Sequence, residues 1–470
     1  MSAVHVAAID LGATSGRVMH AEVGPDVLRL DEVARFENAP VRVGDGLHWS
    51  ILGLYGAAGA GLGAATRAGR IASVGVDSWG CDYALLRGGA MLGIPFSYRD
   101  DRSLRGMALV EQLVPHAELF ARNGLQRIPL NTINQLVMDR ESGLLAAADG
   151  FLHVPDLFGW WLTGRQVAER TIASTSGMLR LDGTWDAELL ARLGIDAGIL
   201  PDVVEPGTRL GPVLASTAEH FGIHGDPEVV AVGSHDTASA VVAAPMEAGG
   251  AYISSGTWSL VGVETPAPIV SDAAREAGFT NEAGVDGRTR FLKNVMGMWL
   301  LSETLRQWAA DGEPAELQPL LDAAAAVDGD VATFDPTDDA FYLPGDMPAR
   351  IATWLRERGL RVPATRAELV RSILESLATA YADTLRDAER LSGQRIERVH
   401  VVGGGSRNAL LCRLTAQRLG VPVVAGPVEA TALGNVLVQA RALGAISGDL
   451  EAMRALVRRT TPLTVHEPTA

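Results

Sequence analysis

Lysine is almost missing from this chain. Of its 40 basic residues, Lys293 is the only lysine and the others are arginine. A phosphate loop of the G-x-x-x-x-G-K-[ST] type needs a lysine after its second glycine, and the stretch "FLKNV" around Lys293 is not one. Protein-kinase chemistry is excluded in the same way, because no H-R-D or D-F-G set is present. Cysteine is nearly as scarce. Cys81 and Cys412 are too few and too far apart for a disulfide framework, and a reducing cytoplasm is the expected compartment. Long apolar runs are absent too: the one near Ala240 is broken by Pro245 and Glu247, short of the ~20 residues that a membrane helix needs. The N-terminal run is interrupted by Asp10 and has no basic segment before it, so no signal peptide is expected. Positive charge is in deficit, with 56 acidic residues and a net charge of −16. Such a surface repels nucleic acid and anionic membranes, which leaves a small molecule as the expected partner.

What is present reads as α/β. The length of 470 residues suggests two to four domains. Val4–Ile9, Arg17–Val23 and Val27–Phe36 are strand-like runs separated by small-residue turns. A helix is expected over 50–68, capped by Ser50, with Leu54, Ala58 and Leu62 on its inner face. Strands follow at 71–76 and 83–86, and helices dominate from Ser103 to Trp161. From about Val229 the opening grammar returns: "EVVAVGSHDTAS" is strand, turn and helix start, and "GGAYISSGTWSLVGVE" is again strand, small turn, strand. Two similar α/β domains are expected, 1–243 and 244–470, with their Gly-rich turns facing a shared cleft.

The turn "DLGATSGR", Asp10 to Arg17, has two readings. Its backbone N–H groups can form a concave anion site, with Thr14 and Ser15 adding hydroxyls, Arg17 reaching a phosphate and Asp10 placed for Mg²⁺ through its water shell. Alternatively it is a plain hairpin turn. "SSGTW", Ser254 to Trp258, is a matching turn in the other half, and "VVGGGSRN", Val401 to Asn408, offers glycines ahead of a helix, where a flat ring can approach the backbone. In "GSHDTAS", Asp236 stands between strand and helix, as a base accepting a hydroxyl proton or as a helix N-cap. His235 beside it can bond a substrate hydroxyl. "DSWGCD" places Trp79 and Gly80 at a strand end, either stacking on a sugar face or packed in the core. Asn294 offers an amide at a strand end, and Met296, Leu300 and Leu301 read as one helix face. "GAGLGA", Gly59 to Ala64, fits a dinucleotide fingerprint but lies within a predicted helix, where small residues serve close packing. His220 and His224 have an i, i+4 spacing but no third metal ligand in view.

Taken in order, "AIDLGATSGRVM", "GVDSWGCDYALL", "VGSHDTASAVVAAP", "YISSGTWSLVG", "LKNVMGMWLL", "HVVGGGSRNALL" and "AGPVEATALGN" resemble the FGGY carbohydrate kinases. The "SWG" and "SHDTAS" versions are similar to the rhamnulokinase branch. The resemblance implies an actin-like ATPase fold, two RNase H-like domains with mixed sheets flanked by helices around a cleft. It implies ATP- and Mg²⁺-dependent phosphorylation of a ketose hydroxyl, O1 of L-rhamnulose in this branch, with L-fuculose or L-xylulose as alternatives. A non-catalytic actin-like ATPase or sugar sensor is the distant alternative, and a monomer or weak homo-oligomer is expected. Carried over by residue, Ala13, Thr14, Ser15, Gly16 and Arg17 contact ATP phosphates and Asp10 organises Mg²⁺. Thr257, Ser302 and Gly404 contact the nucleotide. Trp79, Gly80, His235, Asp236, Thr237 and Asn294 meet the sugar, with Asp236 as general base. Two departures stand out: Ser302 replaces the branch's usual glutamine, and Leu130 and Ile133 stand where aromatic residues are expected.

Overall fold

The computed structural model describes residues 2–468, which gather into two compact units. The chain leaves unit 1 at Pro245 and returns to it twice, at Glu264–Phe291 and Ala430–Thr461. A single division at 243/244 does not describe that exchange. Each unit is considered by itself.

Unit 1 is built on a six-stranded mixed sheet in the order Arg209–Pro212, Glu228–Val230, Ser73–Ser78, Val4–Leu11, Ser15–Gly24, Val27–Glu37. The last three strands form an antiparallel meander, while Val4–Leu11 runs parallel to Ser73–Ser78, which runs parallel to Glu228–Val230. Alternation divides Val4–Leu11 between two faces. Ala7, Ile9 and Leu11 enter one core with Leu54, Ala58 and Leu62 of the helix Ile51–Ala68. Asp10 falls on the opposite face, which is covered by the helix Ala430–Ala442. There a Cβ on Gly75 would lie 2.4 Å from Asn435 Oδ1. This face holds the chemistry described below.

The fingerprint-like glycines are packing residues, as their place in a helix implies. A Cβ on Gly59 would stand 2.5 Å from the Phe221 ring, and one on Gly63 would stand 2.1 Å from the Phe221 carbonyl. One local expectation needs correction. Ser50 occupies the N-cap position but its side chain makes no capping bond. Helices do dominate from Ser103 to Trp161, with one strand among them, Gly150–His153, whose partner Tyr83–Arg87 lies far back in the chain. The helix Ala215–Phe221 ends before His224, so His220 and His224 do not share a helical face.

Unit 2 has its own mixed sheet, with neighbours in the order Trp258–Thr265, Gly250–Ser255, Arg398–Val402, Val423–Ala425, Thr464–His466. Gly250–Ser255 is antiparallel to Trp258–Thr265 and parallel to Arg398–Val402. Helices Arg366–Ser392 and Ala409–Leu419 flank it.

Candidate active site

In unit 1 the turn after the first strand is drawn tight by its own backbone and by Asn38. Gly12 N donates to Ser15 O at 3.0 Å, while Asn38 donates from its backbone to Thr14 O and from its amide to Gly12 O at 2.8 Å. Thr14 is exposed, and Ala13, Ser15 and Arg17 are half-buried. Gly16 is glycine for packing, because a Cβ there would lie 2.2 Å from the Phe36 ring. Arg17 is joined to Asp10, Nε to Oδ2 at 2.8 Å. The sequence reading treated these two residues separately; the structure makes them an ion pair.

Asp10 has a second carboxylate beside it. Asp77 is its register partner on the parallel strand and is fully buried. Asp77 Oδ2 accepts from Asn435 Nδ2 at 2.6 Å, and Gln439, one turn further on, donates to Asn435 Oδ1 at 2.6 Å. Asp77 Oδ1 has no hydrogen-bond partner. Burial, and then the negative charge of Asp10, push the Asp77 carboxyl well above the usual carboxylate range.

Ser78, at the end of the same strand, donates to Ser234 O at 2.9 Å and so fixes the segment leading to His235 and Asp236. His235 occupies the N-cap of the helix Asp236–Ala243, and no side chain caps it. Asp236 is therefore the first helical residue and not a cap, its side chain 30% exposed. Thr237 Oγ1 donates to Asp236 Oδ1 at 3.1 Å, and His235 Nε2 lies 3.5 Å from that same oxygen. Enclosure by protein, opposed by His235 and reinforced by Asp10, raises the Asp236 carboxyl above its ordinary value. Gly80 faces the imidazole: a Cβ there would be 3.3 Å from His235 Nε2.

Trp79 belongs to the core. It is 4% exposed, packs on Trp49 with ring centroids 4.3 Å apart, and donates Nε1 to Asp82 Oδ2 at 3.0 Å. A ring so enclosed offers no face for sugar stacking, and the core alternative holds for Trp79. Ile133 is likewise a core residue at 3% exposure, and Leu130 is partly buried against the neighbouring cluster.

Sequence reasoning missed the supports behind His235 and Asp236. Glu169 is fully buried and collects the N–H groups of Thr171, Ile172 and Ser234, the last at 3.0 Å. Burial raises its carboxyl to about 8. Arg290 and Glu282, both buried, stand behind the His235 ring. The only sequence signal for that pair is their position on either side of the turn "AGVDGR".

Unit 2 brings its own candidates together around one turn. Thr257 O accepts from Gly297 N and Trp299 N, which ties "SSGTW" to the start of the helix Trp299–Ala310 that carries an exposed Ser302. A Cβ on Gly405 would lie 2.0 Å from Ser255 Oγ, so the triple-glycine turn packs on the same hairpin, whereas Gly404 faces open space. Asn294 lies within the strand Thr289–Met296 and is half-buried. Met296 is in that strand as well, so it does not share a helix face with Leu300 and Leu301.

Residues 67–243 match the N-terminal domain of the FGGY family of carbohydrate kinases, and residues 251–443 match its C-terminal domain. Over 98% of its length the chain is 39% identical to a rhamnulokinase from Bacteroides thetaiotaomicron, covering 95% of that protein. The chain belongs to the FGGY family of carbohydrate kinases. A Pectobacterium carotovorum rhamnulokinase is 41% identical over the full chain, covering 94% of that protein. Among solved structures, gluconate kinase from Lactobacillus acidophilus superposes with a TM-score of 0.80 at 16% identity, covering 100% of this chain and 94% of that one. Plasmodium falciparum glycerol kinase with ADP gives 0.79 at 13%, with the same coverage. These FGGY kinases share the actin-like ATPase fold, the α/β fold of mixed sheets flanked by helices that this chain adopts. Among the described residues no helix is long and apolar enough to cross a membrane.

Proposed function

We propose that this FGGY kinase transfers the γ-phosphoryl group of ATP to O1 of L-rhamnulose. The observation that carries the reading is Asp236 at the first position of a helix, beside His235 and Gly80. The motif-level resemblance and the full-length similarity to proteins named rhamnulokinase support it. Asp236 accepts the O1 proton as the new P–O bond forms, and ADP departs with the electron pair of the broken bond. A raised carboxyl is a better proton acceptor than an ordinary one, yet the helix N-terminus favours its ionised form near neutral pH. His235, Thr237 and Gly80 hold the sugar, and the motifs assign Asn294 to it as well. Ala13, Thr14, Ser15, Gly16 and Arg17 bind phosphates, while Thr257, Ser302 and Gly404 bind the rest of the nucleotide.

Mg²⁺ fits the residues present. Asp77 Oδ1 is buried and unpartnered next to Asp10, and no group of three or more acidic, histidine or cysteine side chains among the described residues could hold a metal alone. Water and phosphate would complete its coordination. When bound, it neutralises charge on the β- and γ-phosphates. Asp10 and Asp77 are the residues that would hold it. A cytoplasmic setting accords with the two free, buried cysteines.

The test is ADP release measured over L-rhamnulose, L-fuculose, L-xylulose and glycerol. L-Rhamnulose should give the highest kcat/KM; preference for another ketose would leave the reaction but replace the substrate. Asp236→Asn should retain sugar binding and lower kcat by roughly 10²–10⁴. Unchanged sugar-dependent ADP release in that variant would remove Asp236 as the base.

A further inference from the structure

Arg290 is among the largest fully buried side chains of unit 1. Its guanidinium is held from three sides. Nε donates to Ala283 O at 3.0 Å, Nη1 lies 3.1 Å from Glu282 Oε2, and Nη2 lies in hydrogen-bond geometry 3.1 Å from His235 Nδ1. Arginine can donate but never accept. The imidazole nitrogen that faces Nη2 must therefore supply a lone pair. Glu282 Oε2 lies 3.1 Å from Arg290 Nη1 and 3.3 Å from the same Nδ1, aligned for a hydrogen bond with neither, and it meets the guanidinium as a counter-charge.

We propose that Arg290 and Glu282 are a positioning pair that holds His235 as the neutral tautomer with its proton on Nε2. This rests on the reading of His235 and Asp236 as the sugar end of the site. With Nδ1 accepting, Nε2–H becomes a donor 3.5 Å from Asp236 Oδ1 and beside the open position at Gly80. The opposite tautomer would turn a lone pair toward the Asp236 carboxylate and leave no donor for a substrate oxygen at Gly80. A doubly protonated ring would set its Nδ1–H against the Arg290 donor. A side-chain amide could not impose this polarity, because rotation exchanges its donor and acceptor ends. Arginine has no acceptor end, and Glu282 compensates its charge so that it can remain buried.

The test is a long-range ¹⁵N–¹H correlation of the histidine rings in the full-length protein, labelled on histidine, without sugar or nucleotide. The chain has 10 histidines, and the signal lost in His235→Gln identifies the ring. A neutral ring protonated on Nε2 is expected. A neutral ring protonated on Nδ1, or a doubly protonated ring at neutral pH, overturns the proposal. Arg290→Met should abolish the fixed tautomer and raise KM for the ketose roughly tenfold, the worth of about one hydrogen bond, with KM for ATP unchanged. Arg290→Lys keeps a charged donor and should keep the Nε2–H form. An unchanged tautomer in Arg290→Met also overturns the proposal, and if that variant does not fold the wild-type spectrum still decides. Because the tautomer is read without substrate, failure to phosphorylate any ketose would count against the proposed activity and not against the pair.

Discussion

Asp10 and Asp77 are register partners on adjacent parallel strands, with their carboxyl groups on one buried face of the unit 1 sheet. Arg17 Nε answers Asp10, and Asn435 answers one oxygen of Asp77. The remaining Asp77 oxygen has nothing. Two acids this close cannot both ionise cheaply away from water, so the arrangement is at ease only with a proton or a cation near Asp77.

That gives the first prediction. Asp77 is raised above its ordinary value of 3.8 by burial and then by Asp10. A raised acid contributes stability that is complete below the unfolded value and is lost as pH rises through the folded one. Asp77→Asn removes this loss. Without Mg²⁺ the variant should be more stable than wild type at pH 8 by about 1 kcal/mol or more, and the two should converge toward pH 4. Urea denaturation at both pH values measures this. Parallel pH dependence in the two proteins would show that Asp77 does not titrate as argued. The Mg²⁺ concentration for half-maximal activity should rise in the same variant.

Asp236 has a kinetic signature of the same sign. Enclosure is the larger cause of its raised carboxyl, with Asp10 adding and His235 opposing. A base works only when ionised, so the acid limb of kcat/KM should lie above the ordinary carboxylate value, activity failing sooner as pH falls. A pH–rate profile over pH 4 to 8 checks it. A limb at the ordinary aspartate value would mean that some other group carries it.

The strand–turn–strand units and the helix start at Asp236 were legible because each is local: small residues between alternating runs, then a change of period. The supports were not legible, because their partners are remote. Asn435 reaches Asp77 across 358 positions, Glu169 reaches Ser234 across 65, and Arg290 reaches His235 across 55. No periodicity reports such pairs. Trp79 was ambiguous for the same reason, since its depth is set by Trp49 and Asp82 and not by the glycine that follows it. The return of Ala430–Thr461 to unit 1 is equally hidden, because a helix pattern near the C-terminus does not say which sheet it covers.

Gly434 tests that return directly. A Cβ there would lie 1.8 Å from Ser239 O, a backbone atom of the helix that begins at Asp236. Neither helix can yield by a side-chain rotation, so Gly434→Ala must push the two apart. The expected cost is roughly 1–3 kcal/mol, as for an extra methylene forced into a packed core, read as a lower midpoint in urea. Asn435, the next residue, holds Asp77, so kcat should fall as well. A variant with wild-type stability would show that the helix pair is looser than its geometry states.

His153 gives a prediction with the opposite pH sense. Neither ring nitrogen has a hydrogen-bond partner, the side chain is fully buried, and burial lowers its pKa to about 3. Asp156 Oδ2, 3.8 Å away and also without a hydrogen bond, is no effective counter-charge because burial pushes its carboxyl well up. A depressed histidine contributes stability that is present above its unfolded value of 6.5 and is lost as pH falls toward the folded one. The slope is ~1.4 kcal/mol per pH unit, or about 2 kcal/mol between pH 6.5 and 5. His153→Leu keeps an apolar side chain in the same place and removes the proton. The stability difference between pH 7 and pH 5 should therefore shrink by about 2 kcal/mol in the variant. The contribution of Asp156, which runs the other way, remains in both proteins and cancels. An undiminished acid sensitivity would mean that His153 takes up its proton in the folded state as readily as in the unfolded chain.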